Sequence, residues 1–94
     1  MAIITLHPAR HAVQVDNVEV HLSESEWRLL SVFFAHPGRA FSRTELVARA
    51  FGSMVKKRSV DGLVKTIRKK LHEYGEWLQT VRGIGYRWEP TESR

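Results

Sequence analysis

Twice in this chain a serine is followed three residues later by a glutamate, just ahead of an apolar stripe: Ser23 with Glu26, and Ser42 with Glu45. In such a pair the serine hydroxyl accepts from exposed backbone N–H at a helix start, and the glutamate reaches back to the N–H of the serine itself. Leu22 with Trp27, and Phe41 with Leu46, stand at the spacing of the apolar staple that brackets this device. Two helix starts are therefore specified to the residue. Trp27, Leu30, Phe33 and Phe34 follow the first at helical spacing, and His36-Pro37-Gly38 stops that helix. Leu46, Val47, Ala50 and Phe51 follow the second, with Gly52 as its C-terminal stop.

A third helix is expected from about Arg58 to His72, because Val60, Val64, Ile67 and Leu71 recur at spacings of four, three and four. At about 100° per residue these four fall within roughly 60° of arc and make one buried stripe. The opposite face then carries Arg58, Gly62, Lys65 and Lys69, with Thr66 beside them and Arg68 on the flank. Net charge is +5, and its placement is uneven. Met1 to Met54 holds five basic and five acidic residues, whereas Val55 to Arg94 holds ten and five. Seven of those bases lie between Lys56 and Lys70 and face only Asp61. Such local excess points to a negatively charged partner. Gly62 is out of place on a polar helical surface, since glycine there costs about 1 kcal/mol relative to alanine. It is either drift at a tolerant site or the mark of a partner that approaches the backbone closely.

The segments around these helices read as β structure. Ile4 and Leu6, Val13 and Val15, and Val18 and Val20 form short runs separated by Pro8 and by Asp16-Asn17, giving three antiparallel strands with Asp16-Asn17 as a hairpin turn. Near the C-terminus, "LQTVRGIGYRW" places two β-favouring runs around Gly83-Ile84-Gly85. A dinucleotide fingerprint needs a third glycine and a helix opening after the loop. Here a strand follows, so Arg82 to Gly85 is expected to close a hairpin whose glycines supply positive φ. Arg82 stands at its tip, and Tyr86 and Trp88 anchor it to the core. Glu89-Pro90 ends the strand and Thr91 to Arg94 reads as a tail.

The fold class expected is α+β within a single domain over 1–94, with a core over about 6–89. There is no cysteine, which removes disulfides and thiolate chemistry. No apolar run reaches the ~18 residues of a membrane span and no secretory signal is visible, so a cytoplasmic protein is expected. The five histidines show no metal-ligand spacing, His7 and His11 being separated by Pro8 and a turn. No nucleophile elbow, phosphate loop or carboxylate pair appears, and the two capping serines are already employed. Neither enzyme, metal site nor cofactor is expected. A basic helix preceded by a second helix, together with a hairpin tipped by arginine, matches instead the geometry in which a helix enters the DNA major groove and an arm enters the minor groove.

In order and spacing, Leu22-Ser23-x-x-Glu26-Trp27-x-Leu29-Leu30, His36-Pro37-Gly38, Ser42-Arg43-x-Glu45-Leu46, Arg58-Ser59-Val60-Asp61, Ile67-Arg68-Lys69-Lys70-Leu71 and Gln79-Thr80-Val81-Arg82-Gly83-Ile84-Gly85-Tyr86-Arg87 are highly specific as a set. From about Leu6 to Glu89 the chain resembles the winged-helix effector domain of OmpR/PhoB-type transcriptional response regulators. The resemblance implies a winged helix-turn-helix: an N-terminal antiparallel sheet, three helices and a C-terminal β-hairpin wing. It implies sequence-specific binding of double-stranded DNA in transcriptional regulation, as dimers on tandem half-sites. Carried over residue by residue, the DNA contacts are Arg58, Ser59, Gly62, Lys65, Thr66 and Arg68 on the third helix, and Thr80 and Arg82 on the wing. The charge pattern adds Lys69. Leu63 also falls at a family contact position, but it borders the buried stripe and is left out.

Departures from the family are informative. Members commonly carry larger or hydrogen-bonding residues at Gly62 and Leu63, so their base preferences do not transfer. In some members the loop before the third helix meets RNA polymerase; here Gly52 to Lys57 is short and lacks the acidic residue often found there. A phosphoacceptor receiver domain normally precedes the effector, and none is contained in these residues, which fits an excised effector domain or a protein working without phosphorylation. The competing expectation is a protein-interaction or RNA-binding module using the same surface.

Overall fold

The computed structural model describes residues 4–52 and 58–90, with the side chains of Arg58 and Ser59 also outside the described set. Three strands open the chain, β1 (Ile4–His7), β2 (Ala12–Val15) and β3 (Val18–His21), and pair antiparallel in the order β1-β2-β3. The register sets Leu6 opposite Val13 and Val13 opposite Val20, so one face of the sheet turns Val13, Val15 and Val20 into the core. Asp16 takes a φ of 54° in the turn that joins β2 to β3, the conformation Asp and Asn tolerate best.

Helix α1 (Glu24–Ala35) and helix α2 (Arg43–Phe51) both begin on complete capping boxes at Ser23 and Ser42. The first is closed by Glu26 N–H donating to Ser23 Oγ at 3.2 Å and Ser23 N–H donating to Glu26 Oε1 at 2.8 Å. The second has the same bonds at 3.1 and 3.0 Å. Helix α3 (Arg58–Leu71) buries Val60, Val64, Ile67 and Leu71, each at most 1% exposed. On α1 the core side is centred on Leu29, Leu30 and Phe33, while Trp27 and Phe34 are half-buried at its edges. Leu29, which the expected stripe passed over, is fully buried.

The C-terminal hairpin consists of β5 (Leu78–Val81) and β6 (Gly85–Trp88). It is not alone. A third strand, β4 (Ala40–Ser42), precedes α2 and pairs antiparallel with β6, so β6 is the central strand of a sheet ordered β4-β6-β5. Ser42 lies opposite Gly85, and Ser42 is also the cap of α2, so the helix starts directly from the wing sheet.

This pairing corrects the reading of the glycines. Gly83 has a φ of 81° and turns the hairpin, with Ile84 N–H donating to Val81 O at 3.0 Å. Gly85 has no positive φ; it pairs with Val81, so the connection is Arg82 to Ile84, one residue shorter than expected. A Cβ on Gly85 would stand 2.1 Å from the carbonyl oxygen of Phe41. Glycine is needed there because β4 passes too close for a side chain.

Two further contacts fasten the end of β6. Gly38 N–H donates to Trp88 O and Glu89 N–H donates to Trp77 O. Trp88 itself is 1% exposed and meets Phe34 and Trp77 edge-on, with ring centroids 5.0 and 5.8 Å apart. Trp77 closes a 3-10 segment, His72–Trp77, that carries the chain from α3 to β5.

Candidate nucleic-acid interface

Burial of the Val60–Leu71 stripe leaves Asp61, Gly62, Lys65, Thr66 and Lys69 exposed along α3. Arg58 and Ser59 occupy the first turn of the same helix, and their side chains lie outside the described residues. Leu63 is half-buried and packs against the core, in keeping with its place beside the stripe. Across from the helix, Thr80 is exposed on β5, and Arg82, Gly83 and Ile84 form the exposed wing tip.

Two of the expected site residues are joined to each other. Arg68 donates from Nε to Leu78 O and from an Nη to Thr80 Oγ1, both at 2.9 Å, while its guanidinium lies 5.6 Å from the Tyr86 ring centre. This arginine is half-buried and spans from α3 to both strands of the hairpin. It sets the distance between helix and wing. Arg82 is beyond its reach at the tip and has no ion pair among the described residues.

A second cluster ties the opposite side of the wing to both helices. Arg43, the first residue of α2, donates from Nε to Asp61 Oδ1 of α3 at 2.6 Å and from an Nη to the Tyr86 hydroxyl at 3.3 Å. The Tyr86 hydroxyl donates to the same Asp61 oxygen. Tyr86, 5% exposed, is flanked by the guanidinium groups of Arg43 and Arg68. Burial and then the Asp61 carboxylate push its hydroxyl above the ordinary phenol value. The Tyr86 hydrogen bond and the Arg43 guanidinium hold Asp61 below the usual carboxylate range. Asp61 therefore stays ionised, and α2, α3 and β6 share one charged joint.

Arg43 is a positioning residue that the sequence reading assigned no role. Its signal was present: a cation at the first position of a helix opposes the helix dipole, so a carboxylate partner from elsewhere is needed to account for it.

The cationic surface is smaller than the sequence count. Lys70 Nζ sits 2.6 Å from Glu26 Oε1, the same oxygen that closes the first capping box. Glu26 is 4% exposed. Burial works to raise its pKa, but the Lys70 ammonium and the Ser23 N–H outweigh it and hold the carboxyl at about 2. With Arg68 and Lys70 used to hold the fold together, Lys65 and Lys69 are the cations of α3 left exposed and without an ion pair among the described residues.

Comparison with known proteins agrees with this geometry. A family profile described as "Transcriptional regulatory protein, C terminal" matches residues 17–88. The phosphate regulon transcriptional regulatory protein PhoB of Pseudomonas aeruginosa is 38% identical over 88 residues, covering 90% of this chain and 38% of that protein. The chain thus spans about two fifths of the length of such relatives. Among solved structures, the DNA-binding domain of the response regulator AdeR, in complex with an intercistronic region, matches with a TM-score of 0.79 at 32% identity, covering 94% of this chain and 95% of that one. The C-terminal domain of the nisin resistance regulator NsrR matches with a TM-score of 0.82 at 26% identity, covering 95% and 94%. Sequence and fold agree on one family: this chain belongs to the winged-helix C-terminal DNA-binding domains of OmpR/PhoB-type transcriptional response regulators.

Proposed function

We propose that this domain reads duplex DNA with α3 in the major groove and Arg82 in the adjacent minor groove. The observation that carries this reading is the Arg68 bridge, which holds α3 and the wing in one fixed relation while leaving Lys65, Lys69 and Arg82 exposed. A rigid pair of arms suits recognition, because the cost of ordering them is met in folding and not on binding. Lys65 and Lys69 are suited to phosphates, which fix register without reading sequence. Arg82 at a narrow turn is suited to a minor groove, whose negative potential attracts guanidinium. Thr80 has its hydroxyl oxygen engaged by Arg68, so it positions the wing and keeps its own proton for a phosphate.

One such module offers limited contact area, so tight binding is expected to come from two domains on tandem half-sites one helical turn apart. An RNA polymerase contact through the loop before α3 falls on residues 53–57, outside those described. A cytoplasmic location is part of this reading; among the described residues no helix is long and apolar enough to cross a membrane.

Selection from a random duplex library at ~150 mM salt, where screening suppresses weak attraction, tests the reading. A consensus that repeats at one-turn spacing is expected, with log affinity falling against log salt at a slope on the order of −4 to −5 for four to six phosphates. Retention of every duplex alike would leave only a basic surface.

A further inference from the structure

Gly62 lies inside α3, yet nothing within the fold calls for glycine there. It is not among the residues with positive φ. A Cβ built on it meets no atom within 4 Å, and the residue is exposed. Glycine is the poorest helix former apart from proline, so the free domain carries an unrelieved disadvantage. Gly75 and Gly85 differ sharply, since a Cβ on either would strike backbone at 2.4 and 2.1 Å.

The surroundings of Gly62 are divided. On one side lie the exposed cations Lys65 and Lys69. On the other, Thr66 uses its hydroxyl proton on Leu63 O at 3.0 Å, and Leu63 is aliphatic and half-buried. Around the helix, Gly62 stands between these two lanes. Among the described side chains, the second lane offers methyl and methylene groups and no free donor; Ser59, one turn earlier, lies outside them. Major-groove readout of guanine or adenine draws on donors, whereas thymine presents a methyl group that only apolar contact can recognise.

We infer that Gly62 is a specificity-determining residue whose missing Cβ lets α3 approach the groove floor and leaves a hollow, walled by Thr66 and Leu63, for the 5-methyl group of one thymine. The inference rests on the major-groove reading above and deepens it. A Cβ at this position would fill the hollow and push the helix outward. The advantage lost in the free helix is recovered as contact with DNA.

The test takes the duplex selected by the wild-type domain and replaces each thymine in turn by deoxyuridine, which lacks only the methyl group. One replacement is expected to weaken wild-type binding about threefold to tenfold, on the scale of one buried methyl, and the others to change little. Gly62→Ala is expected to melt higher by roughly 4–8 °C, which shows that it is folded. It should bind the selected duplex at least tenfold more weakly and no longer distinguish thymine from deoxyuridine at that position. Unchanged affinity of Gly62→Ala, or indifference of the wild type to every deoxyuridine, would overturn the inference while leaving the groove reading standing. Failure to select any duplex would overturn the groove reading first, and this inference with it.

Discussion

The base and the tip of the wing are built from the same kinds of residue and put them to opposite uses. At the base, Arg68 is half-buried, hydrogen-bonded to Leu78 and Thr80, and laid beside Tyr86. At the tip, Arg82 is exposed, and the apolar Ile84 beside it is 52% exposed. The same division runs along α3, where Lys70 is tied to Glu26 while Lys65 and Lys69 are unpaired among the described residues. Among the described residues of α3 and the wing tip, a basic residue either fixes the geometry or is presented by it. The distinction lies in whether its partner is already in the chain.

Replacing Trp88 by alanine should break the comparison at its base. The indole is 1% exposed between Phe34 and Trp77, and removing such a side chain costs about 3–5 kcal/mol. Thermal unfolding should show a loss of well over ten degrees, and DNA binding should fall only because the domain is lost. A Trp88→Ala domain that melts close to wild type would mean that the wing is not anchored through this ring.

The second variant acts on the tie between α1 and α3. Glu26 is held at about 2 against an ordinary value of 4.5. A folded pKa below the unfolded one gives stability that is fully present above about 4.5 and is lost as pH falls towards 2. The difference corresponds to something on the order of 3 kcal/mol. Glu26→Gln should therefore be less stable than wild type at pH 7, and the two should converge as pH is lowered from about 5 to 2. Parallel acid-unfolding curves with a constant gap would show that the Lys70 ion pair does not govern this pH window.

How much of this was legible beforehand follows from how far each device reaches along the chain. The capping boxes and the α3 stripe are complete within a few residues, and both stand in the structure as the spacing implied. Strand β4 was not legible, because three residues carry no alternation, and Phe41 and Ser42 were already accounted for by the helix that follows. The conformation of Gly85 pointed the wrong way for a related reason: its neighbour is the carbonyl of Phe41, distant in sequence. The helical wheel already set Arg68 on the flank and left Lys70 off the outward face, but what holds them was not legible, since their partners Glu26, Leu78 and Thr80 lie on other elements. Periodicity reports which face a residue occupies. It does not report what arrives from elsewhere to meet it.

The smallest effect on stability is expected at the tip, where DNA binding and folding are separated most cleanly. Arg82→Ala removes a side chain with no ion pair among the described residues, from a turn that Gly83 shapes without it. The most direct measurement is the affinity of Arg82→Ala for the selected duplex, taken beside its melting temperature. The predicted result is a melting temperature within about a degree of wild type and a loss of roughly tenfold or more in affinity, matching the ~1–3 kcal/mol of a groove contact. Unchanged affinity, or a stability loss equal to that of Trp88→Ala, would contradict the division between a base that holds and a tip that reads.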